Sequence, residues 1–377
     1  MAQKQILIIC GEPSGDLNAA NLIKEIKKQD PDVHIQAVGG PLLRQAGAET
    51  FYDIKELSVL GFFDALRKLS KFFNLKKVIL EKIEREKPQA IILVDFSGFN
   101  LRLAKAINNA IPVIYYISPQ VWASRAGRIK TIKKYISKLI VLFEFEEQFY
   151  RQHHVTVDFT GHPLLDIVKP SISKKEFLSK FSLSESKTTI ALIPGSRTQE
   201  VKRVLTVMLD ASVLIQKKLP QAQFIIAKSP NVELDIYCRI LRHFSLDAKI
   251  IENKTYDCLN SADFALVCSG TATLETAIMQ KPFIVVYKMN CLNYFLYRPQ
   301  VRIPFIGMVN IVAGKKIVPE FIQFQATPEN IAAEATKILQ NPALLEQMQQ
   351  ELGFVKSCLG KTGAGSRAAR IILDFLR

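Results

Sequence analysis

Short, unbroken apolar runs alternate along the chain with stretches in which apolar residues recur every three or four positions. Runs of strand length fall at 5–10, 34–38, 90–96, 112–117, 139–143 and 155–159. The helical period occupies 17–29, 62–87, 101–109 and 125–137 between them. Continuous apolar strands separated by amphipathic helices predict parallel sheets covered on both faces. A second series begins at 188–193 and continues through 223–227, 249–252, 264–268 and 282–287. Between the series lies 166–186, polar and lysine-rich with Pro170 and the run SISKKEFLSK, which reads as a linker. The tail from 327 is helical in pattern except for a break at 360–365. The expectation is an α/β chain of two Rossmann-like, doubly wound halves facing a central cleft. Their expected bounds are 1–165 and 187–345, with helices in 346–377 packing back on the first half or on a partner subunit.

Composition narrows the class. An apolar share of 48% excludes a disordered chain, and 377 residues are enough for two cores. The six cysteines form no CxxC pair, and several sit inside apolar runs, as free thiols in a reducing cytosol would. The basic N-terminus turns at once into a strand and a glycine turn, a poor signal peptide. No apolar run approaches the ~20 residues of a spanning helix. With 50 Lys+Arg against 35 Asp+Glu the formal charge is +15, which points to nucleic acid, an anionic membrane surface or phosphorylated substrates. The basic residues come without a recognised nucleic-acid-binding pattern, which leaves the other two.

In doubly wound sheets ligands bind beyond the carboxyl ends of the strands, so the residues after each strand matter most. Gly11-Glu12-Pro13-Ser14-Gly15-Asp16 follows the first strand and leads into a helix whose free N–H groups favour an anion or polar ligand. An ordinary turn capped by Ser14 or Asp16 is the alternative. The stretch is not GxGxxG and no acid ends the second strand, which argues against NAD. Asp95, after the third predicted strand in DFSGFN, suits a general base at a cleft mouth; a turn-capping carboxylate is the alternative. Trp122, the only tryptophan, follows the fourth strand and reads as core.

In the second half, Pro194-Gly195-Ser196-Arg197 precedes a helix, where glycine allows close approach and serine and arginine suit phosphate oxygens. Ser269-Gly270-Thr271-Ala272-Thr273-Leu274-Glu275 exposes another helix start, with Glu275 one turn in as an acceptor for ribose hydroxyls. Together they are the strongest nucleotide-diphosphate signal, although no P-loop occurs. The histidines show no metal-ligand spacing, and the single DxD, Asp30-Pro31-Asp32, lies away from the strand ends. His162 in Gly161-His162-Pro163 fits either a ligand contact or a structural turn. Finally, Phe62, Phe63, Leu66, Leu69, Phe72 and Phe73 spread apolar surface beyond one helix face, bordered by Arg67, Lys68, Lys71, Lys76 and Lys77. An interfacial membrane helix needs such a surface; a helix packed on the sheet is the alternative.

Taken in order over nearly the whole chain, GEPSGD, VDFSGFN, SPQVWA, TGHPLLD, PGSR, SGTATLE and VNIVAGKKIVPEFIQ resemble the lipid A disaccharide synthases. The resemblance implies a GT-B glycosyltransferase that is inverting, metal-independent and free of cofactors. It implies transfer from UDP-2,3-diacylglucosamine to 2,3-diacylglucosamine 1-phosphate (lipid X), at the cytoplasmic face of the inner membrane; another GT-B UDP-GlcNAc enzyme, a peptidoglycan glycosyltransferase or a 2-epimerase, is the alternative. By matching position, Asp95 is the expected base, and Arg197, Glu275 and Asn310 are essential donor-site residues. Ser14, Gly15 and Asp16 form the loop facing donor and acceptor, with Asn100 and His162 beside it. The aromatic basic segment becomes the membrane-docking, acyl-recognising region. A homodimer exchanging C-terminal segments about 360–365 is a further implication.

Overall fold

The computed structural model describes residues 4–57, 64–123, 126–298 and 303–377. The chain divides into two compact units, Met1–Leu165 with Leu359–Arg377, and Asp166–Cys358. Each unit is built on one wholly parallel sheet.

In the first unit seven strands, β1 (Gln5–Ile9), β2 (His34–Gly39), β3 (Glu49–Asp53), β4 (Ala90–Val94), β5 (Val113–Tyr116), β6 (Lys138–Val141) and β7 (Asp158–Phe159), lie in the order 3-2-1-4-5-6-7. β4 and β5 are buried along their whole length, which accounts for their unbroken apolar sequences. The second unit has β8 (Thr188–Ile193), β9 (Ala222–Lys228), β10 (Ala248–Glu252), β11 (Phe264–Cys268), β12 (Phe283–Tyr287) and β13 (Glu320–Ile322), in the order 10-9-8-11-12-13. In both sheets the order reverses once, between β1 and β4 and between β8 and β11. Among the described residues no helix is long and apolar enough to cross a membrane.

Two strands escape the sequence pattern. β3 (ETFYD) and β13 (EFI) are short edge strands of mixed polarity, because only one neighbour and part of one face bury them. The expected linker is the larger correction. Most of 166–186 folds into the second unit, with a helix over Lys174–Lys180 that Ser173 caps by accepting from the Glu176 N–H. Its Phe177 and Leu178 are buried. The Asp257 carboxylate accepts from the Ser171 and Ile172 backbone N–H groups at 2.6 and 3.2 Å and from the Ser171 hydroxyl at 2.6 Å. These bonds hold the Asp257 carboxyl below its ordinary range, though burial pushes the other way.

The C-terminal boundary also shifts. The helix Pro342–Cys358 buries Met348, Leu352 and Val355 in the second unit, whereas Ala364–Phe375 packs on Pro13–Gln29 in the first. The return is clamped by Gly161-His162. The His162 N–H donates to the Leu359 carbonyl at 2.8 Å, and at Gly161, which takes φ 78°, a Cβ would lie a tight 3.1 Å from that carbonyl. Arg367 donates to the carbonyls of Thr160 (2.7 Å), Lys361 (2.6 Å) and Thr362 (2.7 Å). Charge-assisted bonds of this kind contribute more than neutral ones. Arg367→Ala is expected to destabilise the first unit by about 2 kcal/mol and to open the chain near Gly360 to protease, read by denaturant titration and limited proteolysis. An unchanged unfolding midpoint would remove the clamp from the account.

Candidate active site

The residues following β1 and β4 meet where the first sheet reverses its strand order, the place where such sheets open a crevice. Asp95 and Phe96 both adopt left-handed backbone, at φ 50° and 47°. For residues other than glycine this costs roughly 1–3 kcal/mol each and persists only when neighbours enforce it. Here the Asn100 amide donates to the carbonyls of Val94 (3.3 Å) and Asp95 (2.9 Å), and the Tyr115 hydroxyl donates to the same Asp95 carbonyl. The clamp holds the Asp95 backbone, and the residue is half-buried. Gly15, in the first turn of Pro13–Gln29, passes so close that an added Cβ would lie 3.9 Å from the Asp95 Cβ. Gly11 lies beneath the Phe96 ring, where a side chain would collide at 2.3 Å. Ser14 is half-buried in the same turn.

Beside Asp95 the Phe96 turn opens onto an aromatic cavity of about 520 Å³, lined by Phe72, Phe73, Phe96 and Phe99 with Lys76, Arg102 and Arg128. Phe96 and Phe99 stack at 5.3 Å between ring centres, and Phe72 closes the cluster at 5.8 and 6.0 Å. Arg128 donates to the Ser97 hydroxyl at 3.0 Å. The helix Asp64–Glu86 behind it buries Leu75, Ile79 and Ile83, while Phe73 stays 70% exposed. Of the apolar segment singled out above, Phe62 and Phe63 lie outside the described residues. Leu66 and Leu69 belong to this helix, their side chains outside the description.

In the second unit the loops after β8 and β11 meet at the other reversal. Gly195 (φ 107°) and Gly270 (φ 148°) hold backbone that only glycine adopts freely, and a Cβ on Gly195 would lie 3.3 Å from the Cys268 sulfur at the end of β11. Ser196, Arg197, Gly270 and Thr271 are exposed at these two helix starts, with Ala272 half-buried behind Thr271. Arg197 pairs with Glu200 at 3.0 Å, a partner one turn along the helix. Ser269 donates its hydroxyl to the Ile306 carbonyl at 3.3 Å, tying in the loop before Met308–Ala313. Glu275 receives a 3.3 Å hydrogen bond from the Tyr256 hydroxyl, but burial dominates and raises its carboxyl to about 7. Tyr256 was not visible as its partner in sequence, since nineteen residues separate them.

Three further expected site residues, Asp16, Asn310 and His162, are hydrogen-bonded within the fold, and a fourth, Asn100, acts through the Asp95 backbone. The Asp16 carboxylate is buried and accepts from the Gly40, Leu42 and Leu43 N–H groups at 2.7, 3.1 and 3.4 Å, capping the short helix Pro41–Gln45. Asn310 is fully buried, and its amide is spent within the fold. Its nitrogen donates to Val318 O (2.9 Å) and Glu320 Oε1 (2.8 Å), and its oxygen accepts from the Ile317 and Val318 N–H groups at 2.8 and 3.0 Å. Glu320 in turn accepts from the Ile306 and Gly307 N–H groups, both at 2.9 Å. Asn310 is thus a positioning residue for the loop that meets Ser269. His162 is buried and held neutral, burial pushing its pKa down to about 3, and its Nδ1 accepts from the Leu164 N–H. Trp122, expected in the core, is only half-buried and donates its indole N–H to the buried Glu146 at 3.1 Å. Cys10, Cys258 and Cys268 are buried free thiols, but Cys291 is exposed. Among the described residues no group of three His, Cys, Asp or Glu side chains is placed to hold a metal.

Comparison with known proteins fits this geometry. The Staphylococcus aureus MnaA–UDP structure superposes with TM-score 0.66 at 16% identity, covering 99% of this chain and 97% of that one. Acinetobacter baumannii MurG does so with TM-score 0.60 at 13% identity, covering 98% and 99%. At such identities these two likenesses establish the fold. Sequence goes further: the lipid-A-disaccharide synthase of Syntrophus aciditrophicus is 41% identical over 379 aligned positions, covering 100% of this chain and 99% of its own. The family profile described as lipid-A-disaccharide synthetase matches residues 6–361. The chain therefore belongs to the lipid-A-disaccharide synthetase family, a family of UDP-sugar glycosyltransferases.

Proposed function

We propose that the chain transfers 2,3-diacylglucosamine from its UDP conjugate to the 6-hydroxyl of 2,3-diacylglucosamine 1-phosphate. The observation that carries this reading is the placement of the chemistry at both strand-order reversals: Asp95 in the first unit, the glycine-turned helix starts in the second. The Asp95 carboxylate takes the acceptor hydroxyl proton as the oxygen attacks the anomeric carbon. The bond from that carbon to the β-phosphate oxygen breaks, and its electron pair leaves with UDP, so one displacement inverts the centre. Charge gathers on the departing diphosphate, where Arg197 and the N–H groups of Ser196 and Thr271 stabilise it. That arrangement supplies the positive charge a metal would otherwise bring. Glu275 accepts from the ribose hydroxyls.

The aromatic cavity beside Asp95 fits an acyl chain, and its basic rim of Lys76, Arg102 and Arg128 fits a sugar phosphate. Phe73 and the lysines near it fit attachment to an anionic membrane surface, in this reading the cytoplasmic face of the inner membrane. A dimer exchanging C-terminal helices would reuse, between chains, the contacts that Arg367 makes within one. Nucleic acid has no place in this reading.

Asp95→Ala is expected to lower turnover by roughly 10²–10⁴ while UDP affinity, measured by calorimetry, stays unchanged; retained turnover would remove Asp95 as the base. Arg197→Ala is expected to weaken UDP binding by about tenfold or more, and an unaltered affinity would count against its phosphate role. Glu275 gives the pH dependence. Its folded pKa lies above its ordinary value, so ionisation costs stability as pH rises toward about 7 and costs nothing below the ordinary carboxylate range. Ribose hydroxyls favour the ionised form, so UDP affinity should rise with pH through about 7 and then level off. Glu275→Gln should flatten both trends, in thermal unfolding and in titration. A variant that keeps the slope would place the titrating group elsewhere.

A further inference from the structure

Glu275 is tied down on one side. Its Oε1 accepts from the Tyr256 hydroxyl at 3.3 Å. Among the described residues Oε2 accepts no hydrogen bond. The two side chains belong to different helices, Thr255–Ser261 after β10 and Thr271–Ile278 after β11, and both residues are half-buried. The tyrosine stands on a braced helix. Asp257, the next residue, accepts from the Ser171 and Ile172 N–H groups and pairs with Lys254 at 3.1 Å. Lys281, just past the Glu275 helix, donates to the Asn260 carbonyl at 2.8 Å and so links the two helices.

Burial and the nearby Glu275 push the Tyr256 hydroxyl up, so it keeps its proton and donates across the neutral range. A donor on one carboxylate oxygen has two effects. It favours the ionised form, and it fixes the rotation of a group whose last torsion is otherwise broad. With Oε1 engaged, Oε2 is the oxygen open to a ligand's hydroxyls. A half-buried carboxylate that gains both hydroxyls of a ribose is better satisfied than one that gains a single hydroxyl from a 2′-deoxy sugar. The helix Thr271–Ile278 packs on β11, Met308–Ala313 and Pro342–Cys358. The titratable side chains on these elements are Cys268, Glu346, Glu351, Lys356 and Cys358, and Asp257 and Cys258 follow Tyr256. None of them shifts Glu275; burial raises it, and the Tyr256 hydrogen bond works against burial.

We infer that Tyr256 is a positioning residue for nucleotide binding: it holds the Glu275 carboxylate so that the site selects a nucleotide with both ribose hydroxyls over its 2′-deoxy form. The inference rests on the reading that Glu275 accepts from the ribose, and it adds the residue through which that carboxylate is aimed.

The full-length protein is titrated calorimetrically with UDP and with 2′-deoxy-UDP on both sides of neutral pH. Native protein should prefer UDP by about tenfold or more. Tyr256→Phe keeps the ring and removes the donor. It should cut that preference by about threefold or more, and it should move the midpoint of the pH dependence of UDP affinity up by about half a unit or more. A purely structural tyrosine would weaken both nucleotides alike and leave the midpoint in place. Either a kept preference or an unmoved midpoint in Tyr256→Phe overturns the inference. Glu275→Gln separates the two readings. If it abolishes the preference while Tyr256→Phe keeps it, the ribose reading stands and the inference falls; if it keeps the native preference, both fall. Should Tyr256→Phe fail to fold, 3-fluorotyrosine placed at position 256 decides. It keeps the shape and donates more strongly, so the midpoint should move down, and an unmoved midpoint overturns the inference.

Discussion

A parallel sheet covered by helices buries its strands on both faces, and its backbone can approach a polar ligand only where strand order reverses. That constraint organises this protein twice. At each reversal, helices leave neighbouring strands toward opposite faces and their N-termini border an open crevice. In the first unit the crevice receives a carboxylate; in the second it receives N–H groups, an arginine and a poised glutamate. The sharpest local expression is the Asp95–Phe96 turn, where two residues without glycine's freedom take left-handed backbone. Asn100 and Tyr115 hold that turn by its carbonyls, and Gly11 clears space for the Phe96 ring. Strain of this kind is tolerated where positioning a side chain matters more than local stability.

Much of this was legible in the sequence because burial on both faces writes a simple signal. The central strands are continuous apolar runs, and glycines after them mark the reversals. What escaped were features whose cause lies far along the chain. The helix Lys174–Lys180 looks polar because only Phe177 and Leu178 face inward, and its anchor is Asp257. β3 and β13, at the sheet edges, need little apolar sequence. The site roles split in the same way. Gly195 and Gly270 were readable from the backbone they permit, whereas Asp16, Asn310 and His162 carry polar groups that a sequence motif cannot assign to ligand or to fold. Within the fold Asp16, Asn310 and His162 each accept from backbone N–H groups, and the Asn310 amide also donates to Val318 O and Glu320. A motif residue can therefore be indispensable by shaping a loop without touching a substrate.

The excess of basic residues acquires a location as well as a sign. Lys76, Arg102 and Arg128 rim an aromatic cavity beside the proposed base. An enzyme whose substrates join acyl chains, sugars and phosphates needs apolar and cationic surface side by side, and the first unit presents it at this cavity. In the second unit burial raises the Glu275 carboxyl to about 7, and the hydroxyls of a bound ribose would settle it as a carboxylate.

The most direct measurement of the central claim is product analysis. The full-length protein is incubated in detergent and EDTA with UDP-2,3-diacylglucosamine and 2,3-diacylglucosamine 1-phosphate, and the mixture is read by mass spectrometry and NMR. The account predicts a β-1,6-linked tetraacyl disaccharide 1-phosphate, formed with one UDP per linkage. Recovery of free sugar, a sugar epimerised at C2, or an α-linkage would contradict it.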